Sequence, residues 1–136
     1  MMHHFPIRVY YEDTDLAGIV YYANYLKFIE RARSEWLRDM GIDQSALKRD
    51  AGLVFVVRRV EADYLAPARF DDLLTVQSRL HELGNARITM CQKVMRQDRV
   101  LFSAVVTLVC INDAGRPVRL PAELVRLMGD ASPACN

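Results

Sequence analysis

Hydrophobic and polar residues change period along the chain, and the changes mark the predicted elements. Residues 5–12 alternate, with Phe5, Ile7, Val9 and Tyr11 on one face, which predicts a half-buried strand. From Tyr22 to Met40 apolar residues recur at helical spacing and charged residues lie between them, which predicts one long amphipathic helix ending at Gly41. The segment "IDQSALKRD" is compatible with a further short helical turn.

After Gly52 the pattern is typical of strands as far as residue 111. In residues 53–64 the even positions are apolar, although Arg58 interrupts them, and Pro67 in "APARFDD" indicates a break or a bulge. Further strands are predicted over 73–80, 86–96 and 100–111, separated by "ELGN" and "RQD" turns. His81 falls in the first of these polar turn regions, and "PAELVRLM" predicts a short terminal helix that starts at Pro121.

Short turns between strands imply antiparallel neighbours, and one long helix can cover only one face of the sheet. We therefore expect an α+β domain in which an antiparallel sheet of about five strands wraps a single long helix. With 136 residues and no repeats or linkers, the chain is predicted to form one domain over residues 1–136.

Composition narrows the possible functions. The net charge is +1 and basic residues do not cluster with aromatic ones, so nucleic acid is not an expected partner. The longest uncharged run, residues 100–112, is too short to span a bilayer, and "MMHHFPIR" has no apolar signal-peptide core, so no integral membrane segment is expected. Cys91, Cys110 and Cys135 are odd in number and lack C-x-x-C spacing, which predicts reduced thiols in a cytoplasmic protein, without a disulfide or a zinc site.

Three acids, Glu12, Asp13 and Asp15, lie just ahead of the predicted helix, and Gly18 follows them. The sequence lacks G-x-S-x-G, G-x-G-x-x-G, Walker and H-E-x-x-H motifs, so carboxylate chemistry is the leading candidate for an enzyme. A carboxylate beside the unpaired N–H groups of a helix start can attack a carbonyl, or activate water, while the helix holds the oxyanion. A thiolate leaves without protonation, which favours a thioester substrate. The alternative is that Asp13 and Asp15 only cap a turn.

The segment "VYYEDTDLAGIVYYANYLKFIERARSEWL" resembles the active-site segment of hotdog-fold acyl-CoA thioesterases. Within them it is most similar to the Tol-Pal-associated branch of the 4-hydroxybenzoyl-CoA thioesterase-like family, and "FVVRRVEADYLAPARFDDLLTVQS" matches the same branch. The similarity extends from about residue 5 to 121. It implies the hotdog fold, an acyl-CoA substrate, no metal or other cofactor, and a homodimer or homotetramer with active sites between subunits.

The resemblance also implies roles for individual residues. Asp15 takes the position of the catalytic carboxylate, which acts as nucleophile or as general base, and Tyr22 takes the position whose backbone N–H polarises the thioester carbonyl. Gly18 would border the substrate. Many relatives in the Tol-Pal branch carry His at the position of Tyr22, whereas Tyr there is closer to the aromatic-thioester branch. Arg87 stands where relatives often have Ser or Thr, and it either meets a coenzyme A phosphate or is a solvated charge.

Two rival functions differ in class from a thioesterase. One is a non-catalytic hotdog module that binds acyl-CoA or acyl carrier protein, which would not need the D-T-D acids together with Gly18. The other is a hotdog dehydratase, which would require a catalytic His paired with an acid on the helix; the sequence has no His placed for this role.

Overall fold

The computed structural model describes residues 2–129, 131 and 135. Its strands are β1 (His3–Arg8), β2 (Val54–Tyr64), β3 (Leu73–Leu83), β4 (Arg87–Arg96) and β5 (Arg99–Ile111). Its α-helices are α1 (Asn24–Asp39), α2 (Gln44–Ala51) and α3 (Ala122–Met128), and one turn of 3-10 helix, Tyr11–Asp13, follows β1. No helix within these ranges is long and apolar enough to cross a membrane.

The five strands form one antiparallel sheet in the order β1-β3-β4-β5-β2. β3, β4 and β5 are joined by tight turns and pair with their chain neighbours, as their short connections predict. β2 lies at the far edge beside β5, so its outer backbone edge pairs with no other strand among the described residues. The prediction of an α+β fold with a five-stranded antiparallel sheet around one long helix is confirmed.

Helix α1 lies against one face of the sheet and forms the core with it. The even-numbered residues of β4 and β5 face the helix, and the apolar faces predicted for both strands are confirmed. The helix begins at Asn24, two residues after the predicted start at Tyr22, and ends before Gly41, whose φ of +87° fits the predicted stop. The side chains that α1 buries are Tyr25, Phe28, Ile29, Ala32, Arg33, Trp36 and Leu37.

A polar network crosses this core between α1 and the sheet. The buried Arg33 guanidinium donates to Gln92 Oε1 at 3.0 Å. Gln92 Nε2 in turn donates to the Ile29 carbonyl and to Ser78 Oγ, both at 2.9 Å. Burial lowers the pKa of Arg33, with a smaller opposing effect from the Glu30 carboxylate. Because Gln92 is fully buried, its side chain satisfies groups that water cannot reach.

A β-bulge in β2 explains why its alternation is interrupted at Arg58. The pairing with β5 shifts between Val57 and Arg59, so the extra residue reverses the parity of the strand. Val60 and Tyr64 lie opposite the core residues Val106 and Phe102 of β5, as the even-numbered pattern predicts. Before the bulge the odd positions have this role, so placing Val54 and Val56 on the apolar face was wrong.

Two further local predictions fail at strand ends. Tyr11 does not continue the buried face of β1, because the chain turns into the 3-10 helix and leaves its side chain exposed. β3 continues to Leu83, so His81 lies within a strand and not in a turn. The predicted short helices are confirmed as α2, capped by the Asp43 carboxylate, and α3, which follows Pro121.

The cysteines depart from the prediction of three free thiols. Cys91 and Cys135 are joined in a disulfide with their Cα atoms 5.5 Å apart, whereas Cys110 is free and buried on the helix-facing side of β5. Burial raises the pKa of the Cys110 thiol. The sequence does not indicate this pair, because its members lie 44 positions apart and only the fold places Cys135 beside β4.

Candidate active site

The predicted catalytic segment forms a small hairpin between β1 and α1. Backbone bonds join Asp15 N–H to the Ile19 carbonyl and Tyr21 N–H to the Asp13 carbonyl, both at 2.9 Å. At the tip, Gly18 donates to the Asp15 carbonyl at 3.0 Å and has a φ of +77°, which a residue with a side chain rarely adopts. The hairpin therefore holds Asp15 and Gly18 in a defined loop next to the start of α1.

The two acids of D-T-D have different environments. Asp13 is 6% exposed, and its carboxylate accepts Tyr10 N–H at 2.8 Å and the Asn24 side-chain amide at 3.2 Å. It ties the loop to the first residue of α1 and is a structural residue. Asp15 is exposed at the hairpin, where its Oδ1 accepts Ala17 N–H at 2.9 Å. Of the two, Asp15 is the carboxylate that a substrate can reach.

Tyr22 lies in the turn that leads into α1. Its side chain is 63% exposed and contacts the rings of Tyr21 and Tyr64. The Tyr64 hydroxyl donates to the Tyr22 carbonyl at 3.0 Å, which fixes the orientation of this peptide. Within the described ranges the Tyr22 backbone N–H has no acceptor. It is thus free to donate to a ligand at the positive end of the helix dipole.

An aromatic cleft of about 310 Å³ opens beside Tyr22. Tyr25 forms its buried floor, where the phenol oxygen accepts Ala68 N–H at 3.0 Å and burial raises the pKa. Burial also raises the pKa of Tyr64, with a smaller contribution from Tyr22. Both phenols therefore stay neutral at physiological pH and suit an uncharged acyl group. The cleft is lined by Ile19, Val20, Tyr22, Tyr25, Tyr64, Leu65, Ala66 and Pro67.

Gly18 and Arg87 differ in their positions relative to this cleft. A Cβ added to Gly18 would meet no atom of the described chain within 4 Å, so here the glycine is required for its backbone conformation. Arg87 is exposed at the start of β4, where it pairs with Val109 of β5, whereas Tyr64 pairs with Phe102. Seven residues of β5 separate these levels, roughly 23 Å. Within one chain the fold does not bring Arg87 to Asp15.

Two further residues contribute to the site although the sequence did not predict them there. Tyr64 was assigned only to an apolar strand face, yet it orients the Tyr22 peptide; Asn24 was not singled out, although it anchors Asp13. No local signal identifies Tyr64, because β2 reaches the site only through the order of the strands. Side chains able to ligate a metal ion meet elsewhere, where His81, Cys91 and Cys135 converge on β3, β4 and the C-terminal segment.

Comparison with known proteins identifies the family. Residues 9–127 match the thioesterase-like superfamily. The chain is 44% identical over 122 residues to acyl-CoA thioesterase YbgC of Haemophilus influenzae, with 88% of this chain and 89% of that protein covered. It is 39% identical to acyl-CoA thioester hydrolase YbgC of Escherichia coli O157:H7, with 88% and 90% covered.

Solved structures agree with this assignment. A probable thioesterase from Bartonella henselae is 43% identical with a TM-score of 0.84, and the match covers 89% of this chain and all of that one. A 1,4-dihydroxy-2-naphthoyl-CoA thioesterase from Synechocystis has a TM-score of 0.87 at 21% identity, covers 94% of this chain and 96% of its own, and supports the fold alone. The chain therefore belongs to the thioesterase-like superfamily and has its hotdog fold, as predicted.

Proposed function

We propose that the protein hydrolyses acyl-CoA thioesters, with the Asp15 carboxylate and the Tyr22 backbone N–H as its catalytic groups. The observation that carries this proposal is the hairpin: it exposes Asp15 and leads into Tyr22, whose backbone N–H has no acceptor among the described residues and whose side chain lines the aromatic cleft. Family membership supports the reaction class.

The reaction adds water across the thioester C–S bond. Asp15 either attacks the carbonyl carbon to form a mixed anhydride, which water then hydrolyses, or removes a proton from the attacking water. In both routes the carbonyl oxygen gains negative charge, and the Tyr22 N–H donates to it. Coenzyme A leaves as a thiolate, so the site needs no general acid, and the acyl group leaves as a carboxylate. The proposal requires no cofactor or metal.

Two copies pair along β2 in this proposal. β2 is an eleven-residue edge strand with exposed Val56, Val57, Val60 and Tyr64, and an unpaired apolar edge of this length favours strand addition. The exposed ring of Tyr22 contacts Tyr64 and extends this apolar surface beyond β2. A further pairing of two such dimers would give the predicted tetramer. Light scattering should therefore find two or four times the 15.6 kDa of the chain.

This pairing also gives Arg87 a role. Antiparallel pairing of two β2 strands about a two-fold axis sets the Tyr64 end of one copy opposite the Val54 end of the other. Arg87 of the partner subunit then lies about three strand spacings from Tyr64, roughly 15 Å. Arg87 and Arg58 line a cavity of about 440 Å³ at that end. We assign this cavity to the coenzyme A phosphates of the substrate held by the other copy.

Kinetics with an acyl-CoA and with the matching acyl-pantetheine test the assignment of Arg87 to the coenzyme A phosphates. Arg87→Ala should raise KM for an acyl-CoA and leave kcat unchanged, because the contact is equally strong in ground and transition states. The effect should vanish with the matching acyl-pantetheine, which lacks the nucleotide. Arg38→Ala, at an exposed arginine of α1, is the matched control. An equal KM increase for both substrates would show that Arg87 does not bind the nucleotide.

Thiol release from a panel of acyl-CoAs tests the function itself. We expect steady turnover of at least one aliphatic or aromatic ester, and the panel defines the preferred acyl group. The rival module would bind acyl-CoA, or acyl carrier protein, with no release of thiol. Parallel assays with acyl-carrier-protein thioesters decide whether that protein is a partner. Fractionation of cells tests the expected cytoplasmic location, and genomic neighbours test the Tol-Pal association.

A further inference from the structure

Three side chains with metal-ligating atoms meet on the face of the sheet that is turned away from α1. They are His81 of β3, Cys91 of β4 and Cys135 of the C-terminal segment, and their ligand atoms all lie within 4.8 Å of one another. Cys91 is only 4% exposed, and the other two side chains are half-buried. The cluster is separate from the hairpin and the aromatic cleft, and the proposed reaction does not use it.

A second β-bulge explains how His81 joins this cluster. Leu80 pairs with Met90 and Glu82 with Thr89, so the register between β3 and β4 shifts by one residue at His81. A bulge bends its strand and re-aims the side chain of the extra residue. The bulge thus brings the imidazole of His81 close to the sulfurs of Cys91 and Cys135.

We infer that His81, Cys91 and Cys135 form a zinc site when both cysteines are reduced. Zn²⁺ prefers nitrogen and sulfur ligands at about 2.0–2.3 Å in a tetrahedral arrangement, which sets ligand atoms about 3.3–3.8 Å apart. The three ligand atoms already lie within 4.8 Å of one another, and reduction of the disulfide lets its two sulfurs move apart to this spacing. Two thiolates would balance the charge of the ion, and the fourth position remains open to water.

The disulfide between Cys91 and Cys135 is the oxidised state of the same two sulfurs. Two equivalents of a thiol supply two electrons and two protons and become a disulfide, whereas a phosphine supplies the two electrons and becomes a phosphine oxide while water supplies the oxygen and both protons. Either reductant yields two protein thiols. Zn²⁺ then displaces both thiol protons as it binds. Disulfide and zinc are therefore mutually exclusive, and a reducing compartment favours the zinc form. In either state Cys135 is joined to Cys91 of β4, through a covalent bond or through the ion.

The test uses the full chain, reduced with a phosphine and freed of metal with a chelator. Calorimetric titration should find one Zn²⁺ per chain, and Co²⁺ in its place should give a thiolate-to-cobalt absorption band. Cys91→Ser, Cys135→Ser and His81→Gln should each weaken Zn²⁺ binding by more than about tenfold. The disulfide form of the wild-type chain should bind no stoichiometric Zn²⁺.

His4→Gln is the matched control, because His4 is an exposed histidine of β1 outside the cluster. It should bind Zn²⁺ as the wild type does, and loss of binding in this variant alone would move the site to the N-terminal histidines. Cys91→Ala replaces Cys91→Ser if the serine variant does not fold, as judged by circular dichroism. Absence of stoichiometric Zn²⁺ binding by the reduced wild type, or unchanged binding in both cysteine variants, would overturn the inference.

Discussion

The proposed oxyanion donor is the backbone N–H of Tyr22 and not its phenol, and three substitutions distinguish the two groups. Tyr22→Pro removes the backbone N–H, and proline is tolerated in the residues that open a helix. Tyr22→Ala keeps the N–H and removes the same ring, so it is the matched control for the proline variant. Tyr22→Phe keeps both the N–H and the ring and removes only the hydroxyl.

The structure sets the expected size of each effect. Within the described ranges the Tyr22 hydroxyl makes no hydrogen bond, so Tyr22→Phe should cost at most about 0.5 kcal/mol, or roughly twofold in kcat. The N–H is free and lies before α1. If it holds the oxyanion, Tyr22→Pro should lower kcat about 10²- to 10³-fold relative to Tyr22→Ala, or about 3–4 kcal/mol in the transition state.

The assay is thiol release from the preferred acyl-CoA at saturating substrate. Circular dichroism and the midpoint of urea unfolding show which variants are folded. A large loss in Tyr22→Phe together with near-equal kcat in Tyr22→Pro and Tyr22→Ala would refute this reasoning. The oxyanion donor would then be the phenol, and the proposed position of the substrate at the hairpin would be wrong.

Three further predictions concern stability and assembly. Gln92→Ala removes the acceptor of the buried Arg33 guanidinium and should lower the free energy of unfolding by about 1–3 kcal/mol, and an unchanged urea midpoint would contradict this. Asp13→Ala leaves the Tyr10 N–H without its acceptor and should cost about 1–3 kcal/mol, whereas Asp13→Asn should cost less; equal urea midpoints would refute the anchoring role. Val60→Lys places a charge on the β2 edge and should yield a monomer by light scattering, and an intact dimer would exclude β2 as the interface.

Local sequence patterns were sufficient to predict an element where one of its faces is uniformly buried. The alternation in β4 and β5 and the helical spacing in α1 each follow from burial against one neighbour, so the sequence identified these elements and their inner faces. The bulges at Arg58 and His81 were not predictable, because one extra residue reverses the parity of a strand without any compositional mark. The edge position of β2 is also a property of the whole sheet.

The sequence indicated which residue types form the candidate site, but it indicated only part of their spatial arrangement. The D-T-D acids and the glycine identified the loop, but spacing alone could not tell that Asp13 is buried and Asp15 exposed. That difference arises from the bonds of Asp13 to Tyr10 and Asn24, which lie on either side of it along the chain. The Cys91–Cys135 pair depends on tertiary contact alone.

The most direct test of the account is turnover by Asp15→Asn beside Asp13→Asn. An amide is nearly the size of a carboxylate but cannot act as a nucleophile or a base at neutral pH. Asp15 is exposed and accepts one local N–H, which an asparagine oxygen can also accept, so this variant should fold and assemble normally. We predict that Asp15→Asn abolishes thiol release while Asp13→Asn retains most of it. Near-normal turnover in a folded Asp15→Asn protein would contradict the assignment of Asp15 as the catalytic carboxylate.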